Sequence, residues 1–187
     1  MARRISEGLR RISNGWVTLA ALAIFLAFTA LVLPRQAASA EPNVEEAGSP
    51  DTSLFYTPDE LYRTAEAYGA EGRAAYIRAR LTFDVVWPLV YAFFLTTAIG
   101  WLAARAFDPD NVWSLANLAP VLGALLDFLE NASTSLVMAR YPAPTPVVVA
   151  LAPIFTFLKW IFVGGSFGLL FVCLAVAVWR WRRKKGN

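Results

Sequence analysis

The sequence predicts an all-α fold: an integral membrane four-helix bundle with a short amphipathic helix in its first outer loop. Three observations carry this. Of the 187 residues, 57% are hydrophobic and only 17% charged, a balance tilted away from that of soluble domains. The apolar residues gather in four runs of about 18 or more, the length a helix needs to cross hydrocarbon. Lys and Arg concentrate at the ends of those runs.

The basic segment "MARRISEGLRRISNG" leads into the first span, about 16–33, "WVTLAALAIFLAFTALVL". Ala38-Ser39-Ala40 follows and has the small-residue pattern of a signal-peptidase site, so the span reads either as a cleaved signal or as a retained anchor. The apolar run exceeds a usual signal core, which favours the anchor. Residues 34–80 form an outer linker and surface helix. The stretch 34–56 is rich in Ala, Pro, Ser and Glu without apolar periodicity and predicts extended chain. At "YTPDELYRTAEAYG", Thr57 is an N-cap, Pro58 suits the first helical position and Glu60 stands three after the cap. Leu61, Ala65 and Tyr68 share one face, and Gly69 ends the helix. A second helical start, "GAEGRAAYIRAR", runs into the second span, about 81–104. The turn "RAFDPDN" leads to the third, 112–138, and "ARYPAPTP" to the fourth, 147–179. The fourth run is longer than a bilayer requires, so its start before Pro153 lies at the interface or tilts. Pro88 and Pro120 predict kinks, and Gly164-Gly165-Ser166 predicts a close helix crossing. No internal repeat is evident, and residues 1–187 read as a single membrane domain.

Orientation follows from the basic residues. With the N-terminus inside, ten Lys and Arg lie on the inner side and six (Arg35, Arg63, Arg73, Arg78, Arg80, Arg140) on the outer. Both termini are therefore expected in the cytoplasm, with Trp113, Trp179 and Trp181 in an inner aromatic belt. The net charge of +3 sits at membrane edges, so no nucleic-acid partner is expected, while the basic C-terminal tail suits anionic lipid heads. The chain has no histidine and one cysteine, Cys173. It therefore lacks the commonest metal and haem ligand and any internal disulfide or thiolate site; no metal and no cofactor is expected.

Four ionisable residues remain inside spans: Asp84, Asp127, Glu130 and Lys159. Asp127, Glu130, Asn131 and Thr134 are spaced i, i+3, i+4 and i+7 and share one helix face. Gly123, Pro120 and Asn117 continue that face. Lipid offers such a stripe no partners, so it should turn toward other helices. At about 1.5 Å per residue, Asp127 falls near mid-membrane, with Glu130, Asn131, Lys159 and Asp84 in the outer half, where they can converge. The alternative for the carboxylates is a pairing with Lys159 that only registers helices, and for Asp84 a pairing with Arg80 one turn earlier. "NAS" at Asn131 matches a glycosylation acceptor, but lies within the bilayer and is discounted.

The ordered pattern "YTPDELY", "YGAEGRAAY", "FDVVWPLVY", "DFLEN", "RYPAPTP" and "FTFLKW" resembles an uncharacterised family of small bacterial four-span membrane proteins. The resemblance covers roughly Asp51 to Trp160. It implies a place in the bacterial cytoplasmic (inner) membrane and marks Tyr56, Pro58, Glu71, Gly72, Arg73, Tyr76, Asp84, Pro88, Tyr91, Asp127, Glu130, Asn131, Tyr141, Pro142, Lys159 and Trp160 as the matching positions. "YTPDELYRTAEAYG" and "FDVVWPLVY" are also faintly similar to the superfamily of emopamil-binding sterol isomerases and sigma-2-type receptors. That likeness implies a hydrophobic ligand cavity lined by acids; the isomerase's catalytic histidine has no counterpart here.

The function expected is a binding one. Asp127 and Glu130 would supply charge, Asn131 orientation, Lys159 the counter-ion, and Asp84 with Tyr91 the outer rim, for a lipid-like or cationic small molecule or a partner's span. Two other classes stay open: an intramembrane enzyme using a carboxylate as acid or base, and an accessory subunit of a larger membrane complex. Four spans without repeats offer little for alternating-access transport.

Overall fold

The computed structural model describes residues 1–38, 48–50, 53–108 and 111–185, and among these there is no strand. Helix α1 (Ala2–Ile12) is basic and amphipathic. Asn14 caps α2 (Gly15–Ala27) by accepting from the Val17 amide at 3.0 Å. A π-helical turn (Phe28–Val32) joins α2 to α3 (Leu33–Ala38). Then come α4 (Pro58–Ala67), α5 (Gly69–Leu81) and α6 (Phe83–Ala106). A 3-10 turn (Val112–Leu118) leads into α7 (Ala119–Arg140), and α8 (Pro146–Lys185) completes the bundle. Four stretches are long and apolar enough to cross a membrane: Gly15–Gln36, Gly69–Ala106, Val112–Arg140 and Pro146–Arg183.

Both termini lie at one end of the bundle. There Gly15 packs on the Trp101 ring of α6, and Arg180 reaches Asp108 at 3.9 Å. Helix α6 is the central element. Its Leu95, Ile99 and Ala103, all buried, form a core with Ala21 of α2, Ala124 of α7 and Cys173 of α8. At the opposite end a second core joins Leu61, Ala65, Tyr68 and Tyr76 of α4 and α5 to Val137, Met138, Val149 and Ala152 of α7 and α8.

The surface helix forms for the reason its sequence suggests. The Thr57 hydroxyl accepts from the Glu60 amide at 3.3 Å, and the Thr57 amide donates to the Glu60 carboxylate at 2.7 Å, the reciprocal pairing of a capping box. The Thr57 amide and the Thr57 hydroxyl, which also donates to Glu60 Oε2 at 2.9 Å, hold the exposed Glu60 carboxyl below its ordinary range, aided by nearby Arg63. Gly69, at φ +63, turns the chain from α4 into α5, a left-handed conformation that a side chain disfavours. Arg73 Nη1 then donates to the Ala65 carbonyl at 2.8 Å and closes the corner.

Three expectations change. The chain from Pro34 to Ala38 continues the first span as helix rather than beginning an extended linker, and Leu33 lines a cavity it shares with α6 and α8. Ser39 and Ala40 of the signal-like motif lie outside the described residues. Pro120 stands in the first turn of α7, where its missing N–H costs nothing, so it starts that helix instead of kinking it. Gly164 and Gly165 face open space. The close crossing of α7 and α8 is instead at Gly123, where a Cβ would come within 3.0 Å of Val163 Cγ2.

Candidate functional site

The stripe on α7 is buried along its length: Pro120, Gly123, Asp127, Glu130, Asn131 and Thr134 all turn inward, and Asn117 of the preceding 3-10 turn is buried as well. On α8, Ala152, Thr156, Lys159 and Val163 recur at i, i+4, i+7 and i+11 and present one face to it. Helix α6 supplies Asp84, Pro88 and Tyr91, buried on its own inward side. Residues three and four apart on three helices thus meet at one level.

There Lys159 Nζ pairs directly with Glu130 Oε2 and lies 3.9 Å from Asp127 Oδ1. Glu130 is fully buried and Lys159 only 5% exposed. The second Glu130 oxygen accepts from the Thr156 hydroxyl at 2.7 Å, and the Tyr56 hydroxyl is 3.2 Å from the same Thr156 oxygen. Asp127 accepts from Tyr91 OH at 3.0 Å on Oδ2 and from Asn131 Nδ2 at 3.2 Å on Oδ1. Asn131 Nδ2 also reaches the Asp84 carbonyl at 3.4 Å, tying α7 to α6. Asp84 Oδ2 pairs with Arg80 Nε at 3.2 Å, both side chains about 10% exposed, and Arg80 stacks on the Tyr76 ring at 4.5 Å.

Among the described residues, three carboxylates (Asp84, Asp127, Glu130) and two cations (Arg80, Lys159) gather here. Buried charge is costly unless paired, and each of these groups has an opposite charge within 4 Å.

A cavity of about 300 Å³ opens beside the cluster, between α3, α6, α7 and α8. Asp84, Tyr91, Asp127 and Lys159 give it a polar side, while Phe83, Trp87, Trp160 and Phe167 give it aromatic walls. Trp87 is held by the first apolar helix: its ring stacks on Phe25 at 5.8 Å and Phe28 at 5.6 Å, and meets Tyr91 edge-on at 5.7 Å.

All six residues expected from the sequence therefore come together. Asp84, Tyr91, Asp127 and Lys159 line the cavity. Glu130 and Asn131 stand behind them, Glu130 against Lys159 and Asn131 against Asp127. Sequence reasoning missed Thr156, whose signal was its position three before Lys159. It also missed Trp87, one turn before Tyr91, as part of the same wall. Nothing about spacing marks Tyr56 as a neighbour of Thr156, since 100 residues separate them. Compared with known protein families, curated proteins and solved structures, the chain matches none, so any functional reading rests on this geometry.

Proposed function

We propose that the chain is a multi-pass protein of the bacterial cytoplasmic membrane, with both termini in the cytoplasm, whose cavity receives the cationic head of a lipid-like small molecule. One observation carries the reading. A buried, carboxylate-rich cluster opens onto an aromatic-walled cavity of about 300 Å³, with Asp84 and Asp127 on its wall, a size within the range of small-molecule sites. A ligand ammonium would meet the Asp127 carboxylate and lie against the faces of Trp87 and Trp160, which attract cations. The aliphatic part would leave between α3 and α8, past Leu33 and Val163. Asp127 accepts hydrogen bonds on both oxygens, which favours charge recognition over proton abstraction.

Dodecyltrimethylammonium, which has no proton to give, is a suitable probe. Added to purified protein in phosphatidylcholine nanodiscs, it should give a saturable change in tryptophan fluorescence, because Trp87 and Trp160 line the cavity. The contact is Coulombic, about 3 kcal/mol for unit charges roughly 5 Å apart at an effective dielectric of 20, so Asp127→Asn should weaken binding about tenfold or more. Equal affinity in Asp127→Asn, or equal affinity for dodecanol, would refute the proposal.

A further inference from the structure

From the acid–lysine pair a line of hydroxyls continues toward the end of the bundle away from the termini. Thr156 Oγ1 lies 2.7 Å from Glu130 Oε1 and 3.2 Å from Tyr56 OH. Tyr56 is in turn a wall residue of a pocket of about 440 Å³, whose other walls include Ser49, Ser53, Glu60 and Arg63. On the inner side the second Glu130 oxygen pairs with Lys159 Nζ, and Lys159 lines the aromatic cavity. Tyr56, Thr156, Glu130 and Lys159 thus form a row, each in reach of the next, that joins the two cavities.

The row crosses apolar core. Tyr56 packs with Leu61, Val137, Met138 and Ala152, and Thr156 and Glu130 are fully buried. Buried polar groups are costly unless bonded, and a pair that only registers α7 on α8 needs no extension to a pocket. Thr156 carries one hydroxyl proton but has three acceptors in reach: Glu130 Oε1, Tyr56 OH and, at 3.1 Å, the Ala152 carbonyl. Its hydroxyl can therefore turn from one to another while the packing stays. Asp127, Asp84 and Tyr91 stand on the cavity side of the pair, and Arg80 is engaged by Asp84. Beyond Glu130 the links toward the pocket are both hydroxyls.

We infer that Glu130, Thr156 and Tyr56 form a proton path between this pocket and the Lys159 amine. Outward, an Nζ–H bond breaks and Glu130 gains the proton on Oε2. A half-turn of the carboxyl presents it to Thr156, whose hydroxyl has turned toward Tyr56. Thr156 takes that proton and gives its own to Tyr56, and Tyr56 gives its own to a water of the pocket. Lysine ammonium and water become lysine amine and hydronium, while every relay group ends with the protons it began with. The reverse steps restore the ammonium. Such a path lets the buried cluster change its charge without water entering it, and the inference is independent of what fills the cavity.

The chain has three lysines, Lys159, Lys184 and Lys185. In a Lys184→Arg, Lys185→Arg parent, isotope-labelled lysine reports on Lys159 alone. The test is exchange of its Nζ protons with deuterated solvent, followed by solid-state NMR of the full chain in phosphatidylcholine bilayers. The parent should exchange. Tyr56→Phe and Thr156→Val each cut the row while keeping its shape, and each should slow exchange about tenfold or more. Thr156→Ser keeps the hydroxyl and should exchange as the parent does. Tyr62→Phe removes a phenol at the same end that accepts from the Thr145 amide at 2.7 Å and stands off the row; it should leave the rate unchanged. The direction of change separates relay from support, because losing a bond that merely held the fold would open the core and quicken exchange. The path is refuted if the parent does not exchange, or if Tyr56→Phe or Thr156→Val exchanges as fast as the parent or faster. It is equally refuted if Thr156→Ser or Tyr62→Phe slows exchange as much as Thr156→Val does.

Discussion

Replacing Lys159 with Met removes the one ammonium that serves two carboxylates. Glu130 is fully buried, and its Oε2 has Lys159 as its charged partner. Asp127 Oδ1 is 3.9 Å from the same nitrogen. Two unit charges about 4 Å apart attract by about 4 kcal/mol at an effective dielectric of 20. Removing one member of a buried pair typically costs about 3–5 kcal/mol because the other is left uncompensated. Both side chains are more than nine-tenths buried, so solvent screening takes little from this figure. Lys159→Met should therefore lose roughly 3–5 kcal/mol, and Glu130→Gln a comparable amount by taking away the carboxylate that pairs directly with the lysine. The double variant, which removes both charges while keeping similar volumes, should lose about 2–3 kcal/mol less than the two single losses added together. The assay is equilibrium unfolding in mixed micelles of increasing dodecyl sulfate fraction, followed by tryptophan fluorescence and helical circular dichroism. A double-mutant cycle should give a coupling of about 2–3 kcal/mol, at the upper end for residues in contact. Additive losses in the double variant would show that the pair is not coupled, and the account of the cluster would fall with it.

Other consequences are simpler. Gly123→Ala should cost about 1–3 kcal/mol, since its Cβ would press on Val163 at 3.0 Å, whereas Gly165→Ala, facing open space, should leave unfolding unchanged or slightly favour the fold; the same micelle titration reads both. Gly69→Ala, forced to φ +63, should cost about 1 kcal/mol or more, with Gly69→Asn milder. The Glu60 carboxyl lies below its ordinary 4.5 in the folded chain, so its support of the α4 cap is complete above that pH and disappears as pH falls through the folded value. Hydrogen exchange at the Thr57 and Glu60 amides should accelerate in that acid window, and Glu60→Gln should remove the pH dependence.

The sequence revealed the helices because lipid-length apolar runs and a capping box are local signals. Thr57, Pro58 and Glu60 behave as their spacing requires. What stayed hidden is set by packing. Gly164-Gly165 and Gly123 look alike as small residues in apolar helices, and only the placement of Val163 makes one a crossing and the other open surface. Helix α1 gave a basic pattern but no sign that Ser6 would bond to Asn117 across 111 residues. Pro120 reads as a kink or as a helix start depending on where the preceding turn is 3-10, which a proline alone does not tell.

The polar face of α7 was legible for a different reason: in hydrocarbon each such residue must find a partner, so periodicity alone points inward. Periodicity does not say which partner each residue finds, and that is what separates their roles. Glu130, one turn beyond Asp127, is fully buried and accepts from Lys159 and Thr156. It acts as the internal counter-charge that holds α7 to α8. Asp127 reaches the cavity and is held from both sides by Tyr91 and Asn131. Neutralising Glu130 should therefore act first on the stability of the bundle, and neutralising Asp127 first on what the cavity can bind. The two variants separate the roles because one carboxylate faces protein and the other faces space.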